Sequence, residues 1–190
     1  MNKIDNRRIP LRMRFNEYGL LDPGDYVMTF DKLRQSILVK GEENSLLPWD
    51  AYWRNRLVDN LEFCVRQLWA CGIEEIYIDG SFVTDKYQPE DIDGYFVPRN
   101  EQEIFDGTLL AKLNQLDPYK CWGWNRHRFD EYGNLQLEMW YRYRVELFPH
   151  CTGVYSGITN EEGKNMKFDE FFRKDRDFGI EKGIVKLMKG

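Results

Sequence analysis

Apolar residues Leu57, Leu61, Cys64, Leu68 and Cys71 step along the chain by four, three, four and three. That spacing places them on one stripe of a helix. It predicts a long helix over about 49–70, ended by Gly72. Upstream, 30–39 reads as a short helix. Residues 1–28 read as irregular, with a turn at Asp22-Pro23-Gly24-Asp25. Two short apolar runs, 75–79 and 92–97, read as strands. Asn100 with Glu103 makes a capping-box pattern that opens a helix through Leu109, Leu110, Leu113 and Leu116, stopped by Asp117-Pro118. Residues 121–129 and 135–147 read as strands around a turn at Tyr132-Gly133-Asn134. In the second, Tyr141, Tyr143, Val145 and Leu147 alternate with Arg142, Arg144 and Glu146, so one face is apolar and the other charged. A short helix near 168–174 and a last strand at 183–188 complete the pattern. This order predicts an α+β fold, a mixed sheet flanked by helices. All 190 residues are expected in one domain, with 1–48 as an N-terminal extension packed on the core.

Composition narrows the function classes. Apolar residues make up 42% of the chain, which is ordinary for a globular protein and excludes broad disorder. The net charge of −5 makes the molecule as a whole a poor magnet for nucleic acid, which stays an option only through local patches. Those patches are Arg7, Arg8, Arg12 and Arg14, and Arg126-His127-Arg128. No apolar run reaches membrane-spanning length, and the basic N-terminus has no apolar segment of the kind a signal peptide needs. Cys64, Cys71, Cys121 and Cys151 show no CxxC spacing, so reduced thiols and a cytoplasmic location are expected. Zinc held by Cys121, Cys151, His127 and His150 fits no known ligand spacing.

The chemistry concentrates in 76–97, IYIDGSFVTDKYQPEDIDGYFV. Two readings compete at its start. Asp79-Gly80 between apolar runs is a hairpin signal, with 76–78 pairing back on 82–84. Alternatively, Gly80 lets the backbone approach a ligand and Ser81 offers a hydroxyl and an N–H at the start of a helical turn, an anion site. Asp91 and Asp93, two apart on a strand, project from one face roughly 7 Å apart and suit hard cations of the Mg²⁺ type. An EF-hand is excluded, because its fifth and twelfth positions counted from Asp91 would be Tyr95 and Gln102. Lys86 is placed to neutralise a phosphate or to sit in solvent. Arg142 and Arg144, on the same predicted strand face as Glu146, suit phosphate oxygens. The segment Trp122–Arg128 mixes aromatics and cations, suited to base stacking or simply to packing. His150 follows Glu146 closely enough to be a general base, although a loop histidine with no role is the reading the sequence favours.

Gly-Ser, a gap of about ten residues and Asp-x-Asp together resemble the signature of the DNA polymerase beta-type nucleotidyltransferase superfamily. The longer string DGSFVTDKYQPEDID is similar to a family of small bacterial and phage proteins assigned to it. The likeness extends to the 19–24 turn, the long helix, Val145–Pro149 and the terminal Lys182–Val185. The resemblance implies a minimal nucleotidyltransferase-like α+β core. It implies that Gly80 and Ser81 contact nucleotide phosphates and that Asp91 and Asp93 bind Mg²⁺ or Mn²⁺. Glu146 matches the position of the third carboxylate, where many relatives carry Asp. Gly94, after the second Asp, is less usual than an apolar residue. The activity implied is transfer of a nucleotidyl group from an NTP such as ATP to a protein, tRNA or small-molecule acceptor, in a bacterial or phage-infected cell. By analogy, the setting is a toxin–antitoxin or phage conflict. The alternative is a protein that keeps the fold without turnover and binds a partner protein or nucleotide.

Overall fold

The computed structural model describes residues 12–43 and 45–190. Arg7 and Arg8 lie outside the described residues. Along the chain come β1 (Asp25–Met28), α1 (Phe30–Gln35), α2 (Ile37–Lys40), α3 (Ala51–Ala70), β2 (Glu75–Asp79) and a 3₁₀ turn (Gly80–Val83). Next come β3 (Ile92–Val97), α4 (Gln102–Phe105), α5 (Thr108–Leu116), β4 (Arg128–Phe129), β5 (Leu135–Gln136) and α6 (Glu138–Tyr143). The chain finishes with β6 (Val145–Pro149), α7 (Phe168–Phe172) and β7 (Ile184–Leu187). The fold is α+β. A mixed five-stranded sheet runs β1-β7-β2-β3-β6, and β4-β5 form a separate small hairpin. Among the described residues no helix is long and apolar enough to cross a membrane.

The long helix forms where its stripe predicts. Asp50 caps it, its carboxylate accepting the Trp53 N–H at 2.8 Å. It ends in a Schellman arrangement: the Gly72 N–H bonds the Trp69 carbonyl, and the Ile73 N–H bonds the Leu68 carbonyl, both at 3.0 Å. Gly72 takes φ +82°, the left-handed conformation that glycine adopts at no steric cost. Leu57, Leu61, Cys64 and Leu68 are all fully buried.

Strand alternation gives the sheet two different faces. Ile76, Ile78, Ile92, Phe96, Val145 and Leu147 join the core with the stripe of α3. The opposite face carries Tyr77, Tyr95 and Phe148. Phe172 of α7 stacks with Tyr95 at 6.0 Å between ring centroids, and Phe168 stacks with Phe148 at 4.9 Å.

Several expected elements differ. The stretch read as irregular contains β1, which pairs in parallel with β7 (Asp25↔Ile184). Its edge pairing depends on a strand 159 positions away, which no local pattern displays. The 30–39 helix breaks at Ser36, whose hydroxyl donates to the Leu33 carbonyl and accepts the Leu38 N–H. The 100–116 helix breaks at Gly107 (φ +77°). Only 128–129 of the expected 121–129 strand is extended in a ladder. The largest difference is 135–147. Its middle is α6, and only 145–149 is strand. Met139, Trp140 and Tyr143 supply a helix-period buried stripe that the alternation of aromatic and arginine masks. Arg144 then adopts φ +55° and ψ +44°, which ends the helix and turns the chain into β6. Arg142 and Arg144 consequently do not share a strand face with Glu146. Arg142 lies over the Tyr119 ring at 3.4 Å, and Arg144 over Trp140 at 3.8 Å.

Arg54 is the most demanding residue of the fold. It is fully buried. One guanidinium nitrogen donates to the Leu38 and Phe82 carbonyls at 2.9 and 2.8 Å, and the other to those of Thr84 and Lys86. Its plane lies 3.8 Å from the centroid of Trp49. Burial pushes its pKa down to about 9. Removing the fork leaves several carbonyls without a donor, each worth about 1–3 kcal/mol when buried. Arg54→Ala is therefore expected to cost at least about 3 kcal/mol, comparable with the about 2–5 kcal/mol expected for Leu61→Ala. Arg54→Lys should rescue little of it, because one ammonium cannot span four carbonyls. Urea unfolding of the three variants checks this.

Candidate functional site

The residues that carry chemistry meet at one end of the sheet face that carries Tyr77, Tyr95 and Phe148. β2 and β3 run antiparallel with Asp79 opposite Asp93, and β3 and β6 run parallel with Asp93 opposite Glu146. Asp91 and Asp93 flank Ile92, which points into the core. The chain between β2 and β3 is no tight hairpin. Ile76 and Ile78 pair with β3 and β7 instead of 82–84, and Gly80 opens the 3₁₀ turn. Long-range pairing with β7 takes the partners that a local hairpin would need.

Glycine is required twice here. Gly80 has φ +76°, and a Cβ on it would stand 2.4 Å from the nearer Asp93 carboxylate oxygen. The turn backbone thus rests directly on that carboxylate. At Gly94 a Cβ would stand 2.2 Å from the Tyr77 carbonyl oxygen. Gly94 therefore permits close strand approach, and the ladder through it is unbroken on both sides.

These residues line an open cleft of about 1080 Å³. Gly80, Ser81, Lys86, Asp91, Asp93 and Glu146 all border it. Arg142 and Arg144 do not: Arg144 faces a smaller hollow near Trp53 and Glu131. The two arginines leave the group of expected phosphate contacts because α6 turns them away. Four other cations border the cleft: Arg126, Lys174, Arg176 and Lys182. Arg126 belongs to a basic patch visible in the sequence. Lys182 has no local signal, being 102 positions from the backbone it contacts.

Each polar group has a definite setting. The Asp79 side chain is fully buried and pairs with Lys182 at 2.5 Å. It also accepts the Gly80 N–H at 2.6 Å, while Lys182 donates to the Gly80 carbonyl at 3.3 Å. The Gly80 amide is therefore taken, and Ser81 is left as the turn's donor toward the cleft. Burial raises Asp79 to about 7 against the pull of Lys182. Asp91 accepts the Trp140 indole N–H at 2.7 Å. Glu146 accepts the Leu137 N–H at 2.7 Å on one oxygen and pairs with Arg126 at 2.5 Å on the other. Burial raises Asp91, with Glu146 and Glu90 adding to the effect. Burial raises Asp93 well above the carboxylate range, helped by the charges of Asp91 and Glu146.

Among the described residues, no three His, Cys, Asp or Glu side chains converge on one point that could hold a metal. Glu146 is turned to Arg126 and Leu137, and Asp91 to Trp140. The set Cys121, Cys151, His127 and His150 is likewise not a cluster. His150 Nδ1 lies 3.6 Å from an Asp169 carboxylate oxygen, and the residue does not border the cleft.

The raised carboxyls fix the sign of a pH dependence. A carboxyl that titrates higher in the folded chain than in the unfolded one holds the folded state's extra proton between those values. Its stabilising effect is full below the unfolded value and lost as pH rises through the folded one. Asp91 and Asp93 act in this sense, and Asp79 does so between 3.8 and about 7. The melting temperature of the metal-free protein should fall between about pH 5 and pH 8. Asp93→Asn should flatten that fall and match or exceed wild type at the alkaline end. An Asp93→Asn protein melting far below wild type there would show that the residue is a structural support.

No curated protein and no solved structure matches this chain. One family does match, and it covers residues 13–188, the sheet and the whole cleft included. The chain belongs to that family, a family of unknown function (DUF6932).

Proposed function

We propose that the cleft is the site of a metal-dependent nucleotidyl transfer of the DNA polymerase beta type. One observation carries the reading. Asp93 and Glu146 stand in register on adjacent parallel strands, with Asp91 two residues before Asp93, facing a cleft bordered by a Gly-Ser turn and five cations. Asp85, Asp175 and Asp177 border the cleft beside those cations, and a carboxylate cluster with cations at hand suits an NTP that arrives with a divalent ion.

The donor set fits Mg²⁺ or Mn²⁺ in chemistry: all oxygens, all hard, and crowded enough that burial and mutual repulsion resist ionisation. Asp91 and Asp93 would hold the ion, with Glu146 joining once Arg126 releases it. Two such ions, when bound, stabilise the attacking and leaving oxygens of an in-line displacement. In the reaction, an acceptor hydroxyl oxygen bonds to the α-phosphorus of the NTP. The bond from that phosphorus to the bridging oxygen breaks, and pyrophosphate leaves. Ser81, Lys86 and Arg176 would meet the charge of the triphosphate, while Lys182 stays on Asp79 beneath the turn. Asp93, ionised once a cation is bound, would take the hydroxyl proton. Arg126 is released to the phosphates when Glu146 turns inward.

A second reading rests on Glu146. Both of its oxygens are engaged within the protein. A site that keeps this arrangement would bind nucleotide or a partner protein without turnover.

Incubation with each α-labelled NTP, Mg²⁺ or Mn²⁺ and a bacterial lysate separates the two. Transfer of label that Asp93→Ala abolishes supports the enzyme. Silence with all four NTPs, combined with measurable NTP binding, supports the binder. Absence of both turnover and binding rejects the nucleotide site.

Calorimetry tests the placement of charge. Arg126→Ala should weaken NTP binding and reduce the preference for triphosphate over monophosphate, at roughly tenfold for a charge-assisted contact. Arg144→Ala should leave both unchanged, because Arg144 faces away from the cleft. Equal loss in the two variants would mean that the arginines act through net charge alone.

A further inference from the structure

Two aromatic side chains stand at the border of the large cleft without joining the core. Tyr18 and Phe178 pack on each other with ring centroids 5.1 Å apart and planes at 47°. Both border the cleft, and each keeps about half of its surface open, 49% and 55%. A pair of open rings beside a polar cleft marks a place where a ligand supplies the cover. Both are tied down through their backbones. The Tyr18 N–H bonds the Asn16 side chain at 3.0 Å, and the carbonyl of the next residue, Gly19, accepts the Asp85 N–H at 2.7 Å. The Phe178 N–H bonds Asp175 Oδ1 at 2.8 Å. Both segments continue into the site. Leu20 bridges to Thr84 at the end of the 3₁₀ turn, and Arg176, two residues before Phe178, acts by charge on Asp93.

A carboxylate stands beside the pair. Asp85 is half-buried and borders the same cleft. A Cβ on Gly19 would lie 2.2 Å from Asp85 Oδ1, so the carboxylate rests against the backbone next to Tyr18. Arg54 is near enough to feel its charge but spends its fork on carbonyls. Among the described residues no donor bonds the Asp85 carboxylate, so both oxygens are left for a ligand. Guanine alone of the four RNA bases presents two neighbouring N–H donors on one edge, the ring N1–H and the 2-amino group, spaced like the oxygens of a carboxylate. Adenine and cytosine set a ring-nitrogen acceptor beside their amino group, and uracil sets carbonyls on both sides of its one N–H. Each of these turns a lone pair toward the second carboxylate oxygen.

We propose that Tyr18 and Phe178 are the stacking platform for the base of the nucleoside triphosphate and that Asp85 reads guanine there, so that the cleft selects GTP. The inference rests on the reading of the cleft as a nucleotide site, and it names the nucleotide. The rings cover one face of the base, and Asp85 accepts from its edge. The phosphates extend toward Ser81, Arg176 and the carboxylates. A cleft of about 1080 Å³ is at the top of the range for a single ligand, which leaves room for an acceptor beside the nucleotide.

The test is calorimetric titration of the full chain in Mg²⁺ with GTP, inosine triphosphate, ATP, CTP, UTP and inorganic tripolyphosphate. GTP should bind most tightly. Inosine triphosphate, which lacks only the 2-amino group, should bind roughly tenfold or more weakly than GTP, the loss of one hydrogen bond to a charged acceptor. Tyr18→Ala and Phe178→Ala remove exposed side chains that lie outside the core, so the fold tolerates them. Each should weaken GTP and ATP alike by roughly fivefold or more, the effect of losing a stacking partner, and leave tripolyphosphate unchanged. Asp85→Asn should bring the ratio of GTP to ATP affinity close to one. Asp177→Asn, at an exposed residue of the same cleft, should leave that ratio as in wild type. NTPs that bind no more tightly than tripolyphosphate, or that bind equally well to the Tyr18 and Phe178 variants, overturn the platform and leave the phosphate site standing. Equal affinity for GTP, inosine triphosphate and ATP, or a GTP preference that survives Asp85→Asn, overturns the guanine assignment. Binding of neither tripolyphosphate nor any NTP rejects the nucleotide site itself and this inference with it.

Discussion

The buried fork of Arg54 is the constraint on which the rest of the structure depends. Four carbonyls, from Leu38, Phe82, Thr84 and Lys86, converge on one cation. Three of them belong to the chain between β2 and β3, the segment that carries the Gly-Ser turn toward the Asp pair. That segment has little ladder pairing of its own, so its backbone polar groups need other partners. Arg54 supplies them from the long helix, and the Gly19 carbonyl supplies one more by accepting the Asp85 N–H at 2.7 Å. The position of Ser81 over the carboxylates is thereby referred to the helix core. A planar cation with five donors, stacked on Trp49, can satisfy carbonyls at such different angles.

The cleft holds charge in the opposite manner. Its carboxylates are held together by strand register despite their repulsion. Asp79, Asp93 and Glu146 occupy one rung across β2, β3 and β6, and two cations relieve the ends of that row: Lys182 on Asp79 and Arg126 on Glu146. Asp93, in the middle, has no such direct partner among the described residues. That asymmetry places the most unfavourable charge at the point where the Gly80 backbone presses closest. Sites that are stable without ligand seldom concentrate like charges in this way, and perturbed carboxyls of this kind cluster where ligands bind.

Arg126 sits at the edge of the cleft between Glu146 and the Phe148 ring. Paired to Glu146, it neutralises the third carboxylate. Turned toward a phosphate, it would expose that carboxylate to a cation. The Leu137 N–H would continue to hold one Glu146 oxygen, which limits how far the side chain can move.

The sequence by itself determined the elements whose signals are local. The α3 stripe, the capping role of Gly72, strands 75–79 and 92–97 and the shared face of Asp91 and Asp93 all follow from spacing of 3.6 or 2 residues. The α+β class follows from their order. Tertiary structure decided the rest, wherever two local readings were nearly equal. At Asp79-Gly80, pairing of Ile76 and Ile78 with β7, more than 100 positions away, displaced the hairpin. At 138–143, alternating aromatics and arginines satisfied a strand period, but burial of Met139, Trp140 and Tyr143 together selected a helix. That choice moved Arg142 and Arg144 off the site. Lys182 and Arg176 reached the cleft because β7 inserts between β1 and β2, an event that leaves no mark in the nearby sequence. Local periodicity determines what a segment can become, whereas the partners that bury it and satisfy its backbone determine what it is and which charges come to face one another.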